Sequence, residues 1–135
     1  MFEGQPTTPL TAERAEVVLT VPADSRYLSV VRTAAAGLGA RLDFTLDDIE
    51  DLRIAVDEAC ALLLGQARTD STLRVAFTLG VDSLRARVAA SCDHPSLPSR
   101  EGFSWTVLSA LTSSLDMRVD GSELAIVLGR GRGDG

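Results

Sequence analysis

The segment that most constrains the fold predicts one long helix, beginning after Thr45 and ending near Gln66. Thr45 and Asp48 have the spacing of a capping box, with Asp in place of the usual Glu. Apolar side chains then recur at the spacing of one buried helix face. They are Ile49, Leu52, Val56, Ala59, Cys60 and Leu63. Because a stripe of this kind must be buried against another layer, we expect a fold of at least two layers.

The remaining patterns predict that the other layer is a sheet. Alternating or β-branched runs predict strands at 15–21, 72–79, 84–90, 115–119 and 122–128, with one hairpin at 72–90 and another at 115–128. Helical spacing predicts helices at 25–40, with Ser25 as the candidate cap, and at 102–113. The order β-α-α-β-β-α-β-β favours a two-layer α+β sandwich with its helices on one sheet face. We expect a flexible leader at 1–14, one domain at 15–129 and a flexible tail at 130–135.

Composition excludes several kinds of chemistry. The 135 residues carry a net charge of −6 and one His, and the basic residues are all Arg. Without Lys the chain has no Walker A motif and no Schiff-base lysine, and a single His excludes mechanisms that need two. The negative balance argues against direct nucleic-acid binding, which requires a clustered positive surface.

The termini and the two cysteines predict a cytoplasmic protein. The N-terminal residues lack the basic start and apolar core of a signal peptide, and no segment is apolar enough to span a bilayer. Cys60 and Cys92 are therefore expected to be reduced thiols. A redox-responsive pair formed by these two residues is a weaker alternative.

Glu58 is the strongest candidate for a catalytic residue. It lies in the long helix on a second, largely apolar face with Ile54, Ala61 and Leu62. A carboxylate against such a face could act as a general base with a raised pKa. The alternative is a carboxylate that pairs with an Arg or points to solvent.

Other motifs are weaker. Cys92, Asp93 and His94 are adjacent and cannot normally all reach one ion, so no metal site is predicted. The segment 102–106 (GFSWT) lacks the second Gly of a nucleophile elbow, and we reject a hydrolase triad. Phe103 and Trp105 are either core residues or exposed anchors for a partner, with core favoured.

The sequence DLRIAVDEAC at 51–60 resembles the corresponding helix of RsbW-type anti-sigma factors, a Ser/Thr protein kinase family with the GHKL (Bergerat) ATPase fold. The order of the other elements is similar over residues 15–129. The stretches AVDEAC, SCD and GFSW look most like the actinobacterial branch known as RsbW or UsfX.

The resemblance implies a protein that sequesters an alternative sigma factor of the sigma-F or sigma-B stress type. A STAS-type antagonist would compete for it, and the active kinases of the family phosphorylate that antagonist with ATP. The family usually dimerises, so the resemblance also implies a homodimer.

Carried onto this chain, the family's nucleotide site is incomplete. Glu58 matches the general base, but Leu62 stands where the family has its Mg²⁺-binding Asn, and an alkyl group cannot coordinate Mg²⁺. Asp93 is the sole candidate for the adenine-reading Asp, and Gly102 is what remains of the glycine-rich lid. We therefore expect weak or no kinase activity and no cofactor; the alternative is an active Ser/Thr kinase that uses Mg-ATP.

Two groups of charged residues are candidates for contact with partners. The acidic group could meet a basic sigma region and consists of Asp47, Asp48, Glu50 and Asp51. The basic group, on or beside the preceding helix, could meet acidic patches and consists of Arg26, Arg32 and Arg41. The alternative in both cases is an ordinary solvated helix face.

Overall fold

The structure, a computed structural model, describes residues 15–133 as five strands and three helices. The strands are β1 (Ala15–Pro22), β2 (Thr72–Leu79), β3 (Ser83–Ser91), β4 (Ser114–Asp120) and β5 (Glu123–Gly131). The helices are α1 (Leu28–Arg41), α2 (Leu46–Leu64) and α3 (Phe103–Leu111), and a short 3₁₀ turn (Ser25–Tyr27) precedes α1. This order confirms the predicted β-α-α-β-β-α-β-β arrangement.

The strands form one antiparallel sheet in the order β1-β2-β3-β5-β4. Both predicted hairpins are present. The β4–β5 turn contains Gly121, whose φ of 63° lies in the left-handed region that glycine adopts readily. The inward-facing residues of the three central strands are almost fully buried, whereas their neighbours along each strand face the opposite side.

The three helices pack on one face of the sheet around a single core. The predicted stripe of α2 supplies its centre: Leu52, Val56, Ala59, Cys60 and Leu63 are at most 1% exposed. Ile49 is partly buried against the same cluster. The two-layer α+β sandwich is therefore confirmed.

The predicted N-terminal capping box of α2 is confirmed, whereas the residue that caps the turn before α1 is not the predicted one. Thr45 and Asp48 make both hydrogen bonds of a capping box. Before α1, it is Asp24 rather than Ser25 that accepts a backbone hydrogen bond, from Arg26 N. Because this cap begins a 3₁₀ turn, the α-helix itself begins three residues later than predicted, at Leu28.

The prediction of a flexible tail at 130–135 is wrong for its first residues. Strand β5 continues to Gly131, and the Arg130 side chain is buried between the helix layer and the sheet. An Arg side chain at a position that faces the core must find carboxylate partners there, and Arg130 does so on α2. The predicted leader at 1–14 and residues 134–135 lie outside the described residues.

Within residues 15–133, no helix is long and apolar enough to cross a membrane.

Candidate functional site

Glu58 joins the middle of α2 to the first turn of α3. The Ser104 hydroxyl donates a hydrogen bond to Glu58 Oε2 over 2.5 Å. Both side chains are half-buried. Since Ser104 follows the helix cap Gly102 by two residues, this bond fixes the N-terminal end of α3 against α2. Among residues 15–133, Glu58 is thus paired with Ser104 and with no Arg.

The second apolar face of α2, on which Glu58 was predicted to lie, is only partly covered. Ile54 is 41% exposed and Ala61 is exposed, whereas Leu62 is partly buried against the core. Leu62 lies one helical turn after Glu58 and presents an alkyl side chain. The pair therefore offers one carboxylate, already hydrogen-bonded, and no second oxygen ligand beside it.

Asp93 lies at the end of β3, at the start of the loop that leads to α3. Its side chain is 70% exposed, and its nearest cation is Arg68, whose Nε lies 3.8 Å from Asp93 Oδ1. The same loop is held to the end of α2 by two hydrogen bonds between Gln66 and the backbone of Ser96. Among residues 15–133, neither a hydrogen bond nor an ion pair joins Asp93 to Glu58.

Gly102 ends this loop and is the N-cap of α3, in an extended conformation. It accepts a hydrogen bond from the Thr106 hydroxyl through its carbonyl oxygen. No side chain caps the first turn of α3. The helix begins at Phe103, one residue later than predicted, and ends at Leu111, before the predicted end.

Of the two aromatic residues of α3, one lies in the core and the other does not. Trp105 packs against the core, and the Arg100 guanidinium lies 4.5 Å from the centre of its ring. Phe103 is 80% exposed, so the preference for a core position is wrong for this residue. It occupies the first turn of α3, whereas Leu108, later in the same helix, is fully buried.

The acidic start of α2 is mainly structural. Asp48 is 2% exposed and its Oδ1 lies 3.0 Å from Nη2 of Arg130, which is 3% exposed. Arg130 also reaches Asp51 at 3.2 Å and donates to the carbonyl oxygen of Leu111. Asp48 further accepts hydrogen bonds from the backbone of Thr45 and Gly133.

This arrangement corrects the prediction that Asp48 is a surface contact for a partner. The carboxylate is buried and saturated with donors, and the Arg130 guanidinium lowers its pKa to about 2. Asp51 is half-buried and shares the same cation. Sequence reasoning missed this role because the predicted final strand ended at residue 128, whereas β5 continues to Gly131 and includes Arg130.

The remaining partner candidates are exposed or lie in weak surface pairs. Asp47 is exposed, and Glu50 pairs with Arg53 on the same helix. Arg26 pairs with Asp24, its neighbour at the cap. Each of these residues remains accessible to a second protein.

Arg32 and Arg41 complete the basic group on α1. Arg32 Nη1 lies 3.4 Å from Asp57 Oδ1, which joins α1 to α2. Arg41 is exposed at the end of the helix. A partner would therefore have to displace Asp57 to reach Arg32 fully, whereas Arg41 is open.

The two cysteines are free thiols, and both are buried. Burial raises the pKa of Cys60 to about 12 and raises that of Cys92 as well. Buried protonated thiols react slowly, so neither residue has the environment of a redox sensor. Within the described part of the chain, no cluster of His, Cys, Asp and Glu is suited to a metal ion.

The five-stranded antiparallel sheet with three helices on one face is the two-layer α+β sandwich that the sequence predicts. A solved structure of the RsbU and RsbW domains of a Mycobacterium tuberculosis protein superposes with a TM-score of 0.64 and covers 87% of this chain and 33% of that one. The sequence identity is 19%, so this likeness concerns the fold alone.

The chain is similar in sequence to curated proteins named RsbW, which confirms the resemblance. It is 35% identical over 107 residues to the anti-sigma-F factor RsbW of Mycobacterium tuberculosis, a match that spans 79% of this chain and 64% of that protein. It is 32% identical over 96 residues to a serine-protein kinase RsbW of Bacillus cereus, spanning 67% of this chain and 60% of the relative.

The chain thus spans less than two thirds of the length of these curated relatives. No family model matches it.

Proposed function

We propose that this protein is an anti-sigma factor that binds an alternative sigma factor of the stress-response type. The observation that carries the proposal is the sequence similarity to a protein named as an anti-sigma factor. In this chain the fold and the predicted central helix α2 are intact. The binding of a protein partner needs a stable scaffold and an exposed surface. Both are compatible with the buried Asp48–Arg130 pair and the open residues around it.

The nucleotide site in this proposal is degenerate, because its residues do not fit Mg-ATP. Leu62 supplies no oxygen ligand, Glu58 is engaged by Ser104, and Asp93 is exposed beside Arg68. The loop between β3 and α3 contains Gly102 as its sole glycine, so few backbone amides are free to surround phosphate groups. Each feature independently supports a binding protein with weak or no kinase activity.

An active Ser/Thr kinase is the second candidate, and the carboxylate of Glu58 favours it. A kinase of this family would transfer phosphate from ATP to the antagonist, and Glu58→Ala would abolish that transfer. Under the leading proposal the wild-type chain transfers no phosphate. The Leu62→Asn variant, which restores an oxygen ligand, would then be the form in which activity first emerges.

A STAS-type antagonist that competes with the sigma factor, and a homodimeric state, are further parts of the proposal. Both rest on the family resemblance. Competition is measured by adding purified antagonist to the sigma complex and following release of the sigma factor. Sedimentation analysis of the isolated chain measures its oligomeric state.

The most accessible candidates for sigma contact are Asp47 and Glu50 on α2, together with Arg26 and Arg41. Since Asp48 is internal, its charge reversal would report on folding and not on binding. Charge reversal at Asp47 is the informative change, with Asp116→Lys on the far edge strand as a control for net charge.

The proposal is tested by titrating the purified chain with candidate alternative sigma factors from the same organism. A stoichiometric complex and repression of sigma-dependent transcription in a purified system are expected. Failure of every alternative sigma factor to bind at micromolar concentration would contradict the proposal.

A further inference from the structure

The face of the sheet opposite the helices forms a surface of its own. Within residues 15–133 every helix packs on the other face, so this one is not covered by any helix. The register places its residues in rows across the strands. Thr78 and Arg85 share one row, Ala76 and Arg87 the next, and Arg74 lies beside Ala89 in the third.

The centre of this face is a depression with a floor of small side chains and a charged rim. It has a volume of about 390 Å³, and its floor includes Ala76 and Ala125. The charged residues that line it are Arg85, Arg87, Arg118, Glu16, Asp120 and Glu123. A second depression of about 260 Å³ adjoins it, since the two share Thr78 and Arg85. Arg85 therefore lies between the two halves of one groove.

Two of the arginines on this face have no partner within the described chain. Arg87 pairs with Glu123 at 2.8 Å and Arg118 pairs with Asp116 at 2.9 Å. Arg74 and Arg85 are exposed and make neither an ion pair nor a side-chain hydrogen bond with any of residues 15–133. Arg87 and Arg118 are therefore engaged by carboxylates of this face, namely Glu123 and Asp116. The unpaired Arg74 and Arg85 lie on the central strands β2 and β3.

We propose that this groove and the adjoining row that holds Arg74 together bind an extended acidic segment of a protein. We call this surface the arginine groove; it consists of Arg74, Arg85, Arg87, Arg118 and the alanine floor. Arg guanidinium groups recognise carboxylates through paired hydrogen bonds. Successive rows of the groove are about 6.6 Å apart along the strands, the distance between alternate residues of an extended peptide. In an extended segment that runs along the strands, acidic residues at alternate positions would each lie beside one row that contains an arginine.

A polyphosphate backbone suits this groove less well than a peptide. The chain has a net charge of −6, and Glu16 and Asp120 line the same depression as the arginines. A nucleic acid carries a charge on every unit and would meet these carboxylates too, whereas a peptide can place neutral residues against them. The groove is on the opposite side of the sheet from Glu58, so the inference does not depend on the proposed function.

The experiment is a fluorescence anisotropy titration of the full chain with a labelled peptide of about ten residues, in which Glu alternates with Thr so that the peptide spans the three rows. Saturable binding is expected, and a peptide with Gln in place of Glu is expected to bind about tenfold more weakly or less. Arg85→Gln and Arg74→Gln are each expected to weaken binding of the Glu peptide by about fivefold to tenfold.

Arg53→Gln is the matched control, because it removes the same charge from an exposed position on α2, in the helix layer. It is expected to leave peptide affinity within about twofold of the wild type. Backbone amide shifts in an NMR titration should change along β2, β3 and β5. Equal losses in Arg53→Gln and Arg85→Gln, or no saturation at millimolar peptide, would overturn the proposal. Tighter binding of a single-stranded oligonucleotide of equal charge would overturn it in favour of a nucleic-acid surface.

Discussion

Two of the carboxylates on helix α2, Asp48 and Glu58, have completely different surroundings. Asp48, in its first turn, is 2% exposed and is bound by a buried guanidinium and two backbone amides. Glu58, in the middle of the same helix, is half-buried and is held by one hydroxyl. The first carboxylate cannot leave its partners without exposing a buried charge, whereas the second can exchange its single partner for another.

This difference in burial and hydrogen bonding separates Asp48, which stabilises the fold, from Glu58, which is a candidate functional residue. Many donors and deep burial make Asp48 a fixed connection between α2, β5 and the end of α3. One donor and partial exposure leave Glu58 open to substitution by a partner or by solvent. Changes to these residues, to their partners and to the exposed acids of the same helix should therefore have effects of very different size.

The largest effect is expected for Arg130→Ala. The variant leaves Asp48 buried without its cation, and breaking one side of a buried ion pair costs about 3–5 kcal/mol. Urea unfolding should therefore show a free energy of unfolding lower by this amount, or a chain that does not fold. Arg118→Ala removes an exposed Arg from its pair with Asp116 and should cost less than about 1 kcal/mol. Equal losses in the two variants would place Arg130 among ordinary surface cations.

Acid should weaken the fold through the same carboxylate. The Arg130 guanidinium lowers the pKa of Asp48 from 3.8 to about 2 in the folded chain. A lowered folded-state pKa contributes stability that is fully present above the unfolded value and is lost as the pH falls through the folded one. Urea midpoints should therefore decrease between about pH 4 and pH 2.

Asp48→Asn should lose this part of the pH dependence, since Asn does not titrate. The exposed Asp116, whose pKa is also lowered by its own Arg, serves as the comparison. Asp116→Asn should keep most of the decrease seen in the wild type. If Asp116→Asn flattens the pH profile of the urea midpoint and Asp48→Asn does not, the buried pair is not the main source of the decrease.

A smaller effect is expected for Ser104→Ala. The variant removes one hydrogen bond to a half-buried carboxylate, for which a cost of about 1–2 kcal/mol is typical. Hydrogen exchange should also become faster in the first turn of α3, because Ser104 connects that turn to α2. Glu58→Gln, which keeps an acceptor oxygen, should lose less than Glu58→Ala. Unchanged exchange in α3 would show that the contact does not hold the helix.

The smallest effect is expected at Asp47 and Glu50, on the solvent side of the same acidic segment. Asp47→Asn and Glu50→Gln should each change the free energy of unfolding by less than about 0.5 kcal/mol, since exposed charges and their pairs contribute little. Thermal unfolding of both variants provides the measurement. A loss above 1 kcal/mol at either position would mean that the whole acidic turn is structural.

Local sequence patterns predicted the helices and strands of this fold, but they did not predict contacts between residues that are distant in the sequence. The capping box at Thr45 and the stripe of α2 are confirmed because both depend on spacing within one helix. The pairing of Asp48 with Arg130 joins residues 82 positions apart, and nothing in either neighbourhood specifies it. The acidic turn therefore looked like a uniform surface patch.

The candidate site shows the same limit. The position of Glu58 on α2 follows from helical spacing, but its bond to Ser104 depends on how α3 docks. Phe103 was favoured as a core residue, yet it is 80% exposed in the first turn of α3. Aromatic character alone does not separate a core residue from a surface one.

We have proposed that this chain binds protein partners through a scaffold whose nucleotide site is lost. An isothermal titration of the purified chain with Mg-ATP measures whether that site is lost. We expect no saturable heat up to millimolar nucleotide, because Leu62 offers no ligand and Ser104 engages Glu58. Saturable binding with micromolar affinity would show that the nucleotide site is intact.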